Sequence, residues 1–493
     1  LGLHNMSNLS ELLPAGAGAK SADFVASGTL GSGVTVGLNS DGTVEVISQT
    51  AAVISSAVDV SGANGVKNSY YSTSSDWNPN TNKVLVGIIN TSNGGSGIIY
   101  CGTVSGTTIS FGSGFNATDS QDANVLDVKW DLNQSNIFVF VRCRAPYYFG
   151  ELALGQVSGT TVTQVASGAN TTFASWNIIA YSNPIRYANV VRNANTGKFV
   201  VFYAPPDNSY YGTSKVITMN GTNNPSAGSA TVFKSATSTL FNSSDSNTNK
   251  AVLVYYDNVG SKCLVGSISG TSISFGAETT LETGYSYGGI AYSPTADKFL
   301  VAPKTNAASS GVCYLGAISG TSITFGSAFT YDSSGADYTK VNYNSGDGTF
   351  QIFYRAVNNS SYLKTVTASV SGTTVSLTAP YTIESNTTSQ TAASYALSPN
   401  VFIAGYRNSA GRFEVKTYRP SSTNNTSFIG ITDQAISSAA SGSVIVQGGV
   451  NGKVTGLTIG TDYYVQSNGT LSATVSSVPA GRALSTTSIL LEG

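Results

Sequence analysis

The sequence of 493 residues contains few of the side chains that most enzymes use for acid–base and metal chemistry. Its single histidine is His4, and it has only four cysteines and two methionines. Histidine-based catalytic triads and histidine-rich metal sites are therefore nearly excluded. We predict no catalytic residue, no metal and no cofactor.

Charged residues are also scarce, at 10% of the sequence, and glycine, serine, threonine and asparagine supply the polar surface instead. The 24 lysines and arginines nearly balance the 25 aspartates and glutamates, which gives a formal net charge of −1. This balance favours neither nucleic acid nor an anionic membrane as a partner. No apolar run is long enough for a transmembrane helix, so no membrane insertion is predicted. No secretion signal is visible at the start of the sequence.

The four cysteines form no Cys-x-x-Cys pair. Cys263 and Cys313 occupy equivalent positions in neighbouring copies of a repeat, where a sheet spacing of about 10 Å is too large for a disulfide. We predict both to be small, buried apolar side chains. A disulfide between Cys101 and Cys143 stays open as an alternative, without positive support.

The repeat itself is what the sequence has in abundance. The phrase SGTSITFG at 319–326 recurs with changes, and so does a turn followed by an apolar run, as in ADKFLVAPK at 296–304. Two independent phrases with a common period of roughly fifty residues predict a repeat architecture. Further copies of the first phrase lie at 105–112, 158–165, 220–227, 269–276 and 371–378. Further copies of the second lie at 81–89, 135–143, 196–204, 248–256, 348–356 and 398–406.

Each repeat contains four short runs of β-branched and aromatic residues, separated by turn residues. Four strands in a unit of this length are typical of a β-propeller blade. We therefore predict an all-β fold: a seven-bladed β-propeller with four-stranded blades, flanked by a small N-terminal β element and a small C-terminal β module. The last copy lacks its fourth run. We predict that residues 43–50 supply this run and close the ring by pairing near 412–419; alternatively, 40–50 belongs only to an N-terminal hairpin.

These patterns predict four segments along the chain. Residues 1–42 form a lead-in with a short helix at 5–13 and a β-hairpin, and residues 43–420 form the propeller. A polar linker follows at 421–427, and residues 428–493 form a compact all-β module with turns at its glycines.

The two chain ends resemble virion proteins of bacteriophages of aquatic bacteria, tail fibres among them. The resemblance rests on several short sequences in order, including AISSAASG at 435–442, GLTIGTDYYVQ at 456–466 and AGRALSTTSILL at 480–491. At the other end it rests on LLPAGAGAKSADFVASGTL at 12–30 and DGTVEV at 41–46. The resemblance implies a virion location, on a tail fibre or the capsid surface. It also implies other virion proteins as partners and a homotrimer or another symmetric homo-oligomer.

The repeats and the resemblance together predict a virion structural protein, a tail fibre or surface decoration, whose propeller displays a recognition face for host-surface polysaccharide. Two alternatives stay open: a glycan-degrading propeller enzyme, and a non-viral cell-surface lectin or sheath protein. A non-enzymatic role is preferred because glycoside hydrolysis needs two carboxyls across a cleft. The candidates Asp127, Asp207 and Glu282 share no common spacing.

Recognition is expected in the loops between the second and third runs and between blades, which vary in length and composition. Aromatic rings in these loops offer flat faces to sugars. The candidate glycan-binding residues are Tyr147, Tyr148, Phe149, Trp176, Tyr210, Tyr211, Tyr285 and Tyr287, with Asp207, Asn208, Glu282 and Arg186 as polar contacts. Alternatively, these aromatic residues pack their own loops or a subunit interface.

Two further tryptophans, Trp77 and Trp130, are predicted to be structural. Each precedes the second run of its repeat by the same offset as Tyr292 and Tyr343 in later repeats, and a residue type that recurs at one blade position indicates packing. The aspartate-containing turn at 332–338 can offer oxygens to calcium, although such turns are also common as plain loops.

Overall fold

The structure, a computed structural model, describes most of residues 21–492 and divides the chain into two compact units. The propeller unit is Val53–Arg419, and the terminal unit combines Leu1–Ala52 with Pro420–Gly493. In the described part of the chain, no helix has the length and apolar character needed to cross a membrane. The described residues are 21–62, 65–66, 73–90, 95–117, 126–134, 136–144, 149–165, 175–179, 188–204, 211–219, 225–235, 239–245, 247–257, 259–283, 288–304 and 310–492.

The described residues of the propeller unit form seven antiparallel sheets that share the same strand order, and we name these sheets S1 to S7 along the chain. Each has an inner, a second and a third strand, and an outer strand in two segments that both pair with the third. S1 contains Thr73–Asn78, Lys83–Ile89, Gly97–Ser105, Thr108–Phe111 and Phe115–Asn116; S2 contains Leu126–Trp130, Ile137–Arg144, Phe149–Ser158, Thr161–Gln164 and Ser175–Ile179. S3 contains Ala188–Asn193, Lys198–Tyr203, Gly212–Met219, Pro225–Ala227 and Thr231–Lys234; S4 contains Thr239–Asp245, Lys250–Tyr256, Gly260–Ser269, Ser272–Phe275 and Thr279–Thr283.

The remaining three sheets follow the same plan. S5 contains Gly289–Ser293, Lys298–Ala302, Gly311–Ser319, Ser322–Phe325 and Phe329–Asp332; S6 contains Ala336–Asn344, Thr349–Ala356, Leu363–Ser371, Thr374–Leu377 and Tyr381–Glu384. S7 contains Ser389–Ala396, Val401–Arg407, Phe413–Arg419, Val53–Ile54 and Val58–Asp59. The inner strands of successive sheets pack side by side, and that of S7 packs beside that of S1. This arrangement is of the β-propeller type, so the predicted all-β, propeller-type fold is confirmed.

Turn chemistry explains why both sequence phrases recur. The glycine of the SGT phrase connects the third strand to the outer strand, and at Gly106, Gly270 and Gly320 its φ lies between 57° and 60°. Only glycine adopts this left-handed conformation without steric cost. At the end of the inner strand, the side chains of Asn78 and Asn344 accept a hydrogen bond from the backbone N–H two residues ahead, at 2.9 and 2.8 Å. These Asx turns reverse the chain into the second strand.

The ring closes through residues 53–59, and the prediction of closure by 43–50 is wrong in its residues. Val53–Ile54 and Val58–Asp59 pair with Phe413–Arg419 and supply both outer segments of S7. Val44–Val46 instead forms a hairpin with Thr35–Leu38 in the terminal unit. The closing contact is also fixed by side chains, because the hydroxyl of Ser61 accepts a 2.8 Å hydrogen bond from the N–H of Phe413.

Aromatic pairs between the inner and second strands fill the space between neighbouring sheets. The ring centroids of Trp130 and Phe138 lie 5.8 Å apart, and those of Tyr292 and Phe299 lie 4.8 Å apart. Trp77 is 8% exposed and Trp130 is fully buried. The predicted packing role of the two tryptophans and of the tyrosines at their position is therefore confirmed.

Three of the four cysteines are buried and free, namely Cys101, Cys263 and Cys313. Burial raises the pKa of Cys101 to about 11 and that of Cys313 to about 12. These thiols therefore act as small apolar side chains, as predicted for Cys263 and Cys313, and the alternative disulfide of Cys101 is not formed. The side chain of Cys143 lies outside the described residues.

The terminal unit joins the two chain ends, which were predicted as separate flanks, in one sheet. That sheet has the strand order Ser21–Val25, Ser441–Val446, Phe428–Thr432, Thr35–Leu38 and Val44–Val46. A second sheet has the order Val450–Asn451, Ile489–Leu491, Pro479–Ala483, Asp462–Val465 and Leu471–Ser472. The supposed linker at 421–427 belongs to this unit, since it contains a 3-10 helix, Asn425–Ser427, and the strand Ser422–Thr423, which pairs with Gln49–Thr50. Residues 5–13, predicted to be helical, lie outside the described residues.

Candidate functional site

The predicted aromatic loop site is only partly described by the structure. Tyr211 is half-buried directly before the third strand of S3, and its carbonyl accepts a 3.0 Å hydrogen bond from the hydroxyl of Thr213. The backbones of Phe149 and Trp176 lie in strands of S2, paired with Arg144 and Leu152. The other candidates, Tyr147, Tyr148, Tyr210, Tyr285 and Tyr287, lie outside the described residues. A glycan site on these loops therefore stays a prediction.

A different site stands out in the described part of the propeller unit. A cavity of about 670 Å³ lies between the inner strands of S1, S2, S3, S5, S6 and S7. We call it the axial cavity. Its size falls in the range of small-molecule binding sites. At one end it is bordered by the turns that follow the inner strands, through Pro79, Leu132, Pro294, Ser345 and Leu397.

Aromatic side chains gather at this end of the axial cavity. Trp77, Tyr292, Tyr343 and Tyr395 line it, each near the end of an inner strand. The tyrosine hydroxyls are occupied: that of Tyr292 donates to Asp297 at 2.8 Å and that of Tyr395 donates to Asn400 at 3.0 Å, whereas the hydroxyls of Tyr343 and Thr295 lie 3.0 Å apart. Burial raises the pKa of Tyr395 to about 12, so this hydroxyl keeps its proton at neutral pH.

Trp77 differs from these tyrosines. Its indole N–H has no hydrogen-bond partner among the described residues, although the side chain is 8% exposed and borders the cavity. Buried N–H donors are almost always paired, and an unpaired one carries a desolvation penalty of about 1–3 kcal/mol. The nitrogen itself is buried, so a ligand in the cavity meets this donor only if the indole ring turns toward the cavity.

Charged side chains form a network just inside this aromatic end. Asp76 lies with its Oδ2 3.6 Å from the guanidinium of Arg192 and its Oδ1 3.9 Å from Nζ of Lys129. The same Oδ2 accepts a 2.8 Å hydrogen bond from the backbone N–H of Trp130. These three charged residues come from three different sheets, S1 to S3, so the network links their inner strands around the cavity.

A second carboxylate also accepts a hydrogen bond from the backbone of the next sheet. Asp127 in S2 accepts a 2.9 Å hydrogen bond from the backbone N–H of Val190 in S3 and a 3.0 Å bond from that of Val128. Inner strands are unpaired edges, and the aspartates satisfy their free N–H groups. Of the carboxylates considered for glycoside hydrolysis, Asp127 thus has both oxygens occupied. Asp207 and the side chain of Glu282 lie outside the described residues.

The turn at 332–338, considered for calcium, has its carboxylates occupied by the protein. Asp332 accepts hydrogen bonds from the hydroxyl of Tyr354 and the N–H of Ser334, both at 2.7 Å, and Asp337 accepts a 2.7 Å bond from Arg355. Burial acts to raise the pKa of Asp332, but these two donors and Lys364 outweigh it and hold that pKa below its usual value. In the described part of the chain, no group of three or more acidic, histidine or cysteine residues is arranged to hold a metal.

The axial cavity was not predicted from the sequence, because its lining is made of residues that also pack between sheets. The available signal was the position shared by Trp77, Tyr292 and Tyr343, which was explained by packing alone. The second signal was a pair of opposite charges at equivalent positions of neighbouring inner strands, Asp76 in S1 and Lys129 in S2. Which of these residues meet across the axis depends on ring closure.

No protein-family model and no curated protein matches this chain. Among solved structures, it is similar to a chain in the crystal structure of a Mitotic Checkpoint Complex, at 11% identity and a TM-score of 0.49 over 74% of this chain and 93% of that one. The BP39L lectin from Burkholderia pseudomallei is similar at 10% identity and a TM-score of 0.49, over 71% and 96% of the two chains. A putative 6-phosphogluconolactonase from Bacteroides uniformis is similar at 11% identity and a TM-score of 0.44, over 63% and 85%. These distant similarities carry no functional inference, and the propeller-type fold follows from the strand order.

Proposed function

We propose that this chain is a carbohydrate-binding surface protein whose ligand enters the axial cavity of the propeller unit. The observation that carries the proposal is the indole N–H of Trp77, which is buried beside the cavity and unpaired among the described residues. When the indole ring turns toward the cavity, a sugar hydroxyl accepts from its N–H, and the C–H faces of the sugar pack on the surrounding rings of Tyr343 and Tyr395.

The proposal includes a seven-bladed ring. Seven sheets of one strand order and the packing of the inner strand of S7 beside that of S1 support this count. The split outer strand of S7, which comes from residues 53–59, follows the pattern of the other six sheets. With seven inner strands around one axis, the cavity is surrounded by the inner strands, and a ligand in it contacts several sheets at once.

Binding is preferred over hydrolysis on chemical grounds. The two carboxylates that line the cavity, Asp76 and Asp127, accept hydrogen bonds from the backbone of the next sheet. A retaining or inverting glycosidase needs one carboxyl free to act as acid and one free to act as base or nucleophile. Carboxylates that secure neighbouring inner strands cannot change protonation without weakening those contacts, so we propose a non-enzymatic protein.

The wider role that we propose is in a bacteriophage virion, as a tail fibre or surface decoration that adheres to host polysaccharide. The resemblance of the chain ends, including 435–442 and 480–491, supports it. Other virion proteins and further copies of this chain, as a homotrimer or another symmetric assembly, would be its partners. Mass spectrometry of purified particles and localisation by electron microscopy test this role. Absence from the particles would leave the alternative of a cell-surface lectin or sheath protein.

The binding site is tested with a glycan array followed by calorimetric titration of the best hit. Trp77→Phe keeps the ring and removes the N–H, so affinity is expected to fall about 2- to 10-fold, as for loss of one neutral hydrogen bond. Tyr381→Phe, at an exposed aromatic side chain that does not line the cavity, is the matched control and is expected to bind as the wild type does.

Tyr211→Ala separates the axial cavity from the predicted loop site. Loss of binding in this variant, with Trp77→Phe unaffected, would move the ligand to the loops and overturn the cavity assignment. Cleavage of the glycan during titration, seen as release of reducing ends, would favour the enzyme alternative instead.

A further inference from the structure

The cationic side chains of the axial cavity exceed its anionic ones. Among the described residues, Lys129, Arg192 and Lys340 line the cavity, and only Asp76 and Asp127 oppose them. The lining thus carries one positive charge that no carboxylate of the described residues balances.

The carboxylates of Asp76 and Asp127 already interact with other groups of the protein. Asp76 lies within 4 Å of both Arg192 and Lys129 and accepts the N–H of Trp130. Asp127 accepts two backbone N–H groups, one from its own strand and one from S3. Among the described residues, no third cation lies at ion-pair distance from either carboxylate.

Of the three described cations that line the cavity, Lys340 is the one without an ion-pair partner among the described residues. It lies in the inner strand of S6, next to a bulge at 337–340 where the strand register shifts. No carboxylate of the described residues lies within 4 Å of its ammonium group, which feels Asp127 and Lys129 only at longer range. Burial lowers the pKa of Lys340, the charge of Asp127 acts to raise it, and the charge of Lys129 lowers it further. The Lys340 side chain is half-buried in the cavity lining, so its ammonium group gains from an anion brought into the cavity.

We propose that the axial cavity selects sugars that carry a carboxylate, with Lys340 receiving the carboxylate and Trp77 donating to a hydroxyl or ring oxygen. This inference rests on the proposed function, since it names the class of sugar that the same cavity binds. A carboxylate supplies the missing negative charge, and a charge-assisted hydrogen bond to an ammonium is about twice as strong as a neutral one. Uronic acids, which combine the two features, are the ligand class that fits.

The experiment compares acidic sugars with their neutral parents on the intact chain. Glucuronate, galacturonate and mannuronate are titrated against glucose, galactose and mannose, with binding followed by ligand-observed NMR and calorimetry. At least one acid is expected to bind about tenfold or more tightly than its parent hexose, as for one hydrogen bond to a charged group. Lys340→Met keeps an unbranched apolar chain and removes the charge, so the preference is expected to fall below about threefold.

Two further variants control for folding and for charge alone. Lys340→Arg keeps the positive charge and is expected to retain a preference for the acid, which a purely structural role of Lys340 would not predict. Lys453→Met removes the same charge from an exposed position in the terminal unit and is expected to leave the preference unchanged. Thermal unfolding of each variant shows that the propeller is intact.

The outcomes separate the two proposals. Equal affinity for acids and parents, with binding still sensitive to Trp77→Phe, overturns the charge selectivity and leaves carbohydrate binding in place. A preference for acids that survives Lys340→Met overturns the role of Lys340. Failure of every sugar to bind the wild type overturns both the selectivity and the proposed function.

Discussion

A pair of equivalent glycines provides the sharpest test of how neighbouring sheets pack. Gly276 and Gly326 end the same phrase in S4 and S5, SGTSISFG and SGTSITFG. A Cβ at Gly276 would lie 1.9 Å from the carbonyl oxygen of Thr321, in the SGT turn of the next sheet, whereas a Cβ at Gly326 would meet nothing within 4 Å. Alanine should therefore be harmful at one position and harmless at the other.

The size of the effect follows from this clash. An ordinary contact is at least 3.4 Å, so Gly276→Ala requires the two backbones to separate by about 1.5 Å. Overpacking of this kind costs about 1–3 kcal/mol. With an unfolding entropy of about 2 cal/mol/K per residue, the propeller unit should melt about 1–4 °C lower. Gly326→Ala is expected to be neutral or to stabilise by about 0.4–1 kcal/mol, because alanine restricts the unfolded chain.

The assay is thermal unfolding followed by near-ultraviolet circular dichroism, with both variants and the wild type measured at one scan rate. The expected order of melting temperatures is Gly326→Ala at or above the wild type, and Gly276→Ala below it. Equal shifts in the two variants would refute the claim that the glycine of S4 is required by close approach of the next sheet.

Three further predictions concern acid stability, a buried hydroxyl and the ring closure. Burial acts to raise the pKa values of Asp332 and Glu384, but hydrogen bonds and lysines outweigh it and hold both pKa values below their usual range. The two carboxylates therefore contribute fully to folding stability above the unfolded pKa values near 4, and the melting temperature should fall steadily as the pH drops below about 5. A melting temperature that stays constant down to pH 3 would contradict this. Tyr354→Phe removes the hydroxyl that donates to Asp332 and should lower the free energy of unfolding, measured in urea, by about 1–3 kcal/mol. The melting temperature of this variant should also depend less on pH in the acid range. An unchanged pH dependence would mean that this hydrogen bond contributes nothing. Ser61→Ala leaves the N–H of Phe413 unpaired at the ring closure and should lower the free energy of unfolding by about 1–3 kcal/mol. Amide hydrogen exchange in this variant should be faster at Phe413 than at Phe199, whereas equal exchange at the two residues would argue against local opening at the closure.

Elements governed by local chemistry could be predicted from the sequence. The SGT turn needs a glycine at positive φ, and inner strands such as those of S1 and S6 end in an Asx turn at Asn78 and Asn344, so both turns produce a periodic pattern in the sequence. Propeller-type sheets follow directly from that pattern. Buried Cys263 and Cys313 and the packing of Trp130 follow from equivalent positions in neighbouring repeats.

Ring closure was predicted on the wrong residues because a local pattern competed with a long-range one. The sequence DGTVEV at 41–46 has the shape of an outer strand, and its Gly42 indeed has a φ of 83°. That turn instead folds Val44–Val46 back on Thr35–Leu38 in the terminal unit. The true closing segments are only two residues each, and nothing local distinguishes them.

The axial cavity could not be predicted for a related reason. Whether an indole N–H or an ammonium has a partner depends on distances between sheets that lie far apart in the chain. Trp77 belongs to S1 and Lys340 to S6, and both reach the same cavity only in the folded ring. Sequence periodicity identifies their positions in the repeat but not their lack of partners.

A crystal structure of the protein with a bound uronic-acid oligosaccharide tests the central claim most directly. We expect sugar density in the axial cavity, with an oxygen within about 3.2 Å of the indole nitrogen of Trp77 and a carboxylate at ion-pair distance from Lys340. Sugar density on the outer loops near Tyr211, with an empty axial cavity, would contradict it.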